Sequence, residues 1–332
     1  SQQLIPIYEP KFSDGSFGYR PGRSAKDAVQ RIEEYAEQGY TKAVVLDLSK
    51  YFDTLNHELL VNILRRDVKD ERVIQMIKRY LRSGVMENGV VVKTEEGSPQ
   101  GGNLSPLLAN VYLNEFDQEF NKRGVPCIRY ADDIVLLAKS ERASERLLES
   151  STKYLEGILK LKVNREKSRT VSVFAIRNFK YLGFCFGKSG KGIYIRVHGK
   201  SWKKAKEKLR QLTSRSKCGS IIRAMEKIKV YMRGWVNYYG IADIMFVIKQ
   251  SIYGYIKINK VVKCLCGENR KENPNKCLQI SLVCDKIQIS YAKYGQETPE
   301  RLSEAAADGK TKERFEVWQS SILKYGVPTS TI

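Results

Sequence analysis

The segment Tyr130-Ala131-Asp132-Asp133 lies between two apolar runs, Val125–Arg129 and Ile134–Ala138, and no other feature restricts the architecture as tightly. The runs predict two strands of a hairpin with the acidic pair at its turn. Adjacent carboxylates repel each other, so the pair is unfavourable unless something cationic sits there. Side chains alternate along a strand, so Asp132 and Asp133 should point in different directions, one toward a partner carboxylate and the other flanking it. Taken alone, the four residues read equally well as a solvated acidic turn.

The partner carboxylate expected is Asp47, near the end of the buried strand predicted over Ala43–Leu48. Asp47 also reads as a plain strand-end Asp, whereas Asp53 is better explained as a turn residue ahead of the next helix, which Asn56 caps. Together, Asp47, Asp132 and Asp133 would offer oxygen ligands for hard divalent ions such as Mg²⁺. Two such ions about 3.5–4 Å apart can activate a hydroxyl and stabilise a leaving pyrophosphate in an in-line displacement. A third segment, Gly97-Ser98-Pro99-Gln100-Gly101-Gly102-Asn103-Leu104-Ser105-Pro106, forces a turn and opens the helix predicted over Leu104–Phe120. Gln100 is expected at the bend with its amide free to donate and accept.

Charge adds a partner class. Lys and Arg number 58 against 37 Asp and Glu, a net charge of +21. Residues 196–263 hold 17 of those cations against three acids, which concentrates the basic surface in one helical stretch, as a nucleic-acid groove requires. Apolar stretches such as Ile244–Ile248 fall far short of the ~20 residues that span a bilayer, and no charged-then-apolar leader opens the sequence. Seven cysteines, an odd number, argue against a disulfide framework. A reducing, cytoplasmic setting without membrane contact is the expectation.

With Phe17-Gly18-Tyr19-Arg20-Pro21-Gly22-Arg23-Ser24 upstream, the order of these segments resembles the reverse transcriptases encoded by bacterial group II introns, the intron maturases. Downstream, Val163-Asn164-Arg165-Glu166-Lys167-Ser168 and Phe179-Lys180-Tyr181-Leu182-Gly183-Phe184 are similar to the family's next two blocks. Met232-Arg233-Gly234-Trp235-Val236-Asn237-Tyr238-Tyr239 resembles its thumb signature. Seven blocks in order cover about Gln2 to Gly254.

The resemblance implies an α+β right-hand polymerase, with partial fingers, an α/β palm carrying an antiparallel catalytic sheet, and a helical maturase thumb. Domain limits of 1–190 for fingers and palm, 191–263 for the thumb and 264–332 for a divergent tail follow. It implies RNA-directed DNA polymerisation with two Mg²⁺ ions, and binding of intron RNA to assist splicing and mobility. The partners would be an RNA template, intron RNA, a DNA primer or target and deoxynucleoside triphosphates. Asp47, Asp132 and Asp133 match the metal-binding carboxylates, and the carbonyl of Leu48 would complete a metal shell. Phe52 matches the bulky residue that excludes a 2′-hydroxyl, Gln100 one touching the incoming nucleotide, and Tyr130 one supporting the primer end. Lys167 lies in a block near the primer, and Arg20 and Arg23 match basic residues near the template. Trp202 with Lys203, Lys204, Lys206 and Lys208 offers a phosphate-contacting thumb face, while Trp235 is assigned to core packing and Tyr238 is left open.

Two departures qualify the resemblance. The family's N-terminal extension and first finger blocks, whose cations clamp the triphosphate, have no counterpart before Gln2, so a fragment or a copy unable to polymerise unaided is expected. Beyond Gly254 the match fades. With only His57 and His198 in this sequence, an HNH-type nuclease block is excluded. Cys264, Cys266, Cys277 and Cys284 have a C-x-C-x10-C-x6-C spacing that departs from common zinc patterns. Two rival readings stand beside the polymerase: an RNA-binding splicing cofactor whose polymerase is incomplete, and a domesticated or defence-type reverse transcriptase.

Overall fold

A computed structural model of the protein describes residues 2–83, 85–87, 90–92, 96–99, 102–190, 192–212 and 221–243. In chain order the first elements are α1 (Ile5–Tyr8), a 3-10 turn (Glu9–Lys11), α2 (Ala25–Glu37), β1 (Lys42–Leu46) and a second 3-10 turn (Tyr51–Asp53). Next come α3 (His57–Asp67), α4 (Glu71–Arg82), β2 (Val85–Glu87), β3 (Val90–Val92) and α5 (Ser105–Lys122). Then follow β4 (Cys127–Tyr130), β5 (Asp133–Ala138), α6 (Glu141–Gly157) and β6 (Arg169–Ser172). The last described elements are β7 (Phe184–Ser189), β8 (Gly192–Val197), α7 (Gly199–Leu212) and α8 (Ile221–Tyr239).

Polar residues set the helix starts. Ser24 opens α2 with a capping box shared with Asp27, and Asn56, as the sequence predicts, accepts from the Leu59 N–H at 2.9 Å to open α3. Asp70 and Ser140 do the same for α4 and α6. Pro106 enters α5 in its first turn, where a missing N–H costs nothing.

One four-stranded sheet, in the order β4-β5-β1-β6, carries the centre of the fold. Its pairings are all antiparallel, with Leu46 opposite Ile134, Val44 opposite Thr170 and Cys127 opposite Leu136. Alternate residues Val44 and Leu46 of β1, and Ile134 and Leu136 of β5, join a core shared with α3, α4 and α5. Within α5, Leu108, Tyr112, Leu113, Phe116 and Phe120 are fully buried, each such side chain contributing about 1.5–3 kcal/mol. β1 stops at Leu46, short of the predicted Leu48, because the backbone leaves the sheet there. The Asp47 carbonyl accepts from Asn164 N–H, and Ser49 N–H donates to the Lys162 carbonyl, both at 2.8 Å. This change of partner brings Asp47 to the end of the sheet.

β7 and β8 form a separate hairpin that leads into α7. Ser201, Trp202, Ala205 and Leu209 form the buried face of α7, and Ile228, Met232 and Trp235 that of α8, each at helical spacing. Trp202 meets Trp235 edge-on with ring centroids 5.5 Å apart. All the described residues fall within one compact unit, Ser1–Asn259. Among them no helix is long and apolar enough to cross a membrane. The four tail cysteines lie outside the described residues.

Candidate active site

The β4–β5 hairpin closes with only Ala131 and Asp132 between the paired Tyr130 and Asp133. So tight a connection needs a left-handed first residue, and Ala131 has φ +58°. A non-glycine residue there costs about 1–2 kcal/mol, so the surroundings must hold it. They do so through Arg129, which is fully buried. Its guanidinium forms a bidentate pair with Asp117, the closest N–O contact being 2.7 Å. It also donates to Asn110 Oδ1, to Ser16 Oγ and to the Ala131 carbonyl at 3.0 Å. Gly18 lies against the same turn, and a Cβ on it would sit 2.3 Å from the Ala131 nitrogen. Arg129, Asp117 and Asn110 were not singled out by the sequence. Their signal was an arginine inside an apolar strand and an aspartate among Leu113, Phe116 and Phe120 on one helix.

The carboxylates gather where the sheet ends. Leu46 pairs with Ile134, so the next residues out, Asp47 and Asp133, flank one another. Crowding around the Asp133 carboxyl, followed by the negative charges of Asp132 and Asp47, raises its pKa above the usual range, with Lys180 opposing. Lys167 Nζ stands 3.6 Å from Asp47 Oδ1. Ser168 Oγ accepts from the Asp47 N–H at 3.0 Å, fixing that stretch of backbone. Among the described residues no three His, Cys, Asp or Glu side chains converge as a ready cation cage. The donor types nonetheless suit a hard divalent ion: burial first, then the negative charges of Asp132 and Asp47, raise the Asp133 pKa, and the buried Leu48 follows Asp47 in the chain.

Phe52 is half-buried on the second 3-10 turn, and its carbonyl accepts from the Ser98 N–H at 2.6 Å. Beneath it Tyr51 is buried, and its hydroxyl donates to the Ala109 carbonyl at 2.7 Å. Gln100 lies outside the described residues, but the turn leading to it is pinned. Gly97 has φ +89°, and a Cβ there would meet the Asp53 backbone at 2.8 Å. Ser105 Oγ donates to the Pro99 carbonyl and receives a bond from Ser98 Oγ, both at 2.7 Å. Tyr130 is half-buried at the end of β4.

Strain clusters here. Among the described residues, five non-glycine positions have positive φ: Tyr19, Lys50, Ala131, Lys160 and Leu182. Four border the carboxylates, since Lys50 follows Asp47 by three, Ala131 precedes Asp132, Tyr19 follows Gly18, and Leu182 shares a cavity with Asp133. Stored backbone strain of this kind is a mark of functional sites. The cavity measures about 470 Å³ and is lined by Asp133, Lys180 and Leu182 on one side and by Lys204, Trp235 and Tyr238 of α7 and α8 on the other.

Some of the expected nucleic-acid contacts are engaged within the protein. Arg20 is 8% exposed. It pairs with Glu9 at 2.8 Å and donates to the carbonyls of Ser13 and Ser16, which leaves its guanidinium committed to the protein. Trp202 is buried against Trp235, so it cannot present a face to bases. Lys206 lies over the Trp202 ring, 5.7 Å from its centroid. Arg23 is half-exposed and bonded to Asp14. Lys167 is exposed beside Asp47, and Lys203, Lys204 and Lys208 are exposed on α7.

Residues 1–186 match the family described as reverse transcriptase (RNA-dependent DNA polymerase), and residues 202–265 match the group II intron maturase-specific domain. Protein YkfC of Escherichia coli (strain K12) is 33% identical over 204 residues, covering 50% of this chain and 54% of its own. Group II intron-encoded protein LtrA of Lactococcus lactis subsp. cremoris is 42% identical over 116 residues, 35% of this chain and 19% of its own. Apo telomerase from Candida tropicalis superposes with a TM-score of 0.47 and 13% identity, over 91% of this chain and 59% of that one. The chain thus spans 54% or less of the length of these curated relatives.

Proposed function

The chain belongs to the reverse transcriptase (RNA-dependent DNA polymerase) family, and from that premise we propose that it extends a DNA primer on an RNA template and also binds a group II intron RNA. The observation that carries the reading is the set of Asp47, Asp132 and Asp133 at one end of an antiparallel sheet, with the Asp133 pKa raised by burial and then by the charges of the other two. Fingers and palm would occupy residues 1–190 and the thumb 191–263. Two Mg²⁺ ions held by the three carboxylates and the Leu48 carbonyl would neutralise charge at the attacking 3′-hydroxyl and the leaving pyrophosphate.

The remaining work falls to the chain itself. The Phe52 ring would crowd a 2′-hydroxyl, and Tyr51, packed against it with ring centroids 5.3 Å apart and bonded to the Ala109 carbonyl, would keep the ring from yielding. Gln100, at the end of the pinned Gly97–Pro99 turn, would touch the incoming deoxynucleoside triphosphate, and Tyr130 would support the primer end. Lys167 and Lys180 flank the carboxylates and hold the cluster's charge in check when no substrate is bound. Lys203, Lys204 and Lys208 would contact nucleic-acid phosphates. The maturase-specific match over residues 202–265 supports the intron-RNA role.

Asp132→Ala tests the reading. Primer extension should fall at least a thousandfold, because charge stabilisation of a phosphoryl transition state is the largest catalytic term, while RNA affinity stays within twofold. Extension near the wild-type rate would overturn the carboxylate assignment. RNA binding by a wild-type chain that adds no nucleotide would leave the splicing-cofactor reading in its place.

A further inference from the structure

The thumb-side wall of the cavity beside Asp133 is held by contacts that the chemistry above does not use. Tyr238 of α8 stacks on Phe184, ring centroids 5.7 Å apart and planes at 29°. Its hydroxyl donates to the Leu182 carbonyl at 2.9 Å. Tyr239, next along the helix, packs on Trp235 at 4.8 Å. Its hydroxyl stands 2.6 Å from where a Cβ on Gly183 would be. Two adjacent aromatic residues of the thumb therefore seat one palm turn.

That turn is strained and points at the active site. Leu182 and Gly183 link the bridged pair Tyr181 and Phe184, with φ of +47° and +90°. A left-handed φ is unfavourable for leucine, so the conformation persists only where neighbours over-determine it. Tyr181, 3% exposed, reaches back with its hydroxyl to the Asp133 carbonyl at 3.5 Å, a long and weak bond. A continuous route results: Tyr238 hydroxyl, Leu182 carbonyl, the Tyr181–Leu182 peptide, Tyr181 hydroxyl, Asp133 backbone.

From this route we propose that Tyr238 is a positioning residue, through which docking of α8 on the Leu182 turn sets Asp133 and the cavity floor in the arrangement nucleotide addition requires. The inference rests on the polymerase reading above. Tyr238 is 38% exposed, which would also allow a base to stack on it. One face of its ring is already taken by Phe184 and its hydroxyl by a protein carbonyl, so contact with the palm is the better use of the side chain. The coupling runs through named contacts, as an account of communication between elements requires.

Tyr238→Phe in the whole chain separates the roles, because it keeps the stacked ring and removes only the hydroxyl. Single-turnover nucleotide addition should slow about tenfold, with primer–template Kd and the half-saturating nucleotide concentration unchanged within twofold. Amide hydrogen exchange should quicken at residues 181–184 and 133–135 and remain as before in α3 and α5. An unchanged addition rate in an active protein would overturn the proposal, as would a loss confined to primer–template Kd, which would make Tyr238 a nucleic-acid contact. If the wild-type chain adds no nucleotide, the polymerase reading fails by itself. Exchange then decides the coupling, and unaltered protection at 133–135 in Tyr238→Phe overturns it.

Discussion

Phe52 shows how much one residue's neighbours decide. A Phe five positions after an acidic strand end is most simply a core aromatic, and its half-burial agrees with that. Its carbonyl bond to the Gly97–Pro99 turn ties it to the segment leading to Gln100. Phe52→Ala should therefore relax discrimination between deoxy- and ribonucleotides by at least tenfold in single-turnover incorporation, and unchanged discrimination would return the ring to packing alone. Arg129 was missed for the opposite reason: nothing local in an apolar run announces a buried cation whose partners lie on a helix and an upstream loop. Removing one member of a buried ion pair costs about 3–5 kcal/mol because the other is left uncompensated. Arg129→Met should lower the stability read from the urea midpoint by that amount, and adding Asp117→Leu should restore at least half of it. A single variant within about 1 kcal/mol of wild type would show that the network does not hold the hairpin. Arg20 teaches the same lesson, since a sequence cannot tell a phosphate-binding arginine from one that ties Glu9 to two backbone carbonyls.

Among the elements, legibility followed the range of the contacts. The β4–β5 hairpin, the Asn56 cap and the α5 start were readable because each depends on residues within a turn of one another. The inward face of α7 was also written in the spacing of Trp202, Ala205 and Leu209, so the fate of Trp202 could have been read from periodicity. Less accessible was the start of α7. His198 accepts from the Lys200 N–H through Nδ1 and donates through Nε2 to the Arg177 carbonyl, an arrangement that needs the neutral ring. Burial lowers its pKa, the Arg177 bond opposes that, and Lys180 and Lys200 lower it further. The folded pKa lies below the ordinary value near 6.5, so below that pH the unfolded chain takes up a proton the folded one refuses. Stability is thus lost as pH falls from 6.5 toward the folded value and levels off beneath it. The urea midpoint should drop between pH 7 and pH 5.5 by more in wild type than in His198→Gln. An identical drop in both would mean that other groups carry the acid sensitivity.

At the scale of the molecule, the question is where a net charge of +21 meets nucleic acid. Residues 196–263 hold +14 of it, and the described part of that stretch shows how such charge is displayed. α7 turns Trp202, Ala205 and Leu209 inward and leaves Lys203, Lys204 and Lys208 in solvent. Lys206 differs, lying over the Trp202 ring where it also shields apolar surface. If each of the three exposed lysines contacts a phosphate, their joint replacement by Gln should flatten the slope of log K against log salt by roughly 2 to 3 units. The range follows from about 0.7 per contact on single strands and 0.9 on duplex. Circular dichroism and the Trp202–Trp235 fluorescence must match wild type for the comparison to hold. Because the carboxylates lie on the four-stranded sheet and not on α7, Asp132→Ala should keep the full wild-type slope. An unaltered slope in the folded triple variant would make this face of α7 a solvated one. With Arg20 committed inside the protein, the groove would then be sought along α8, where Lys227 and Arg233 are exposed.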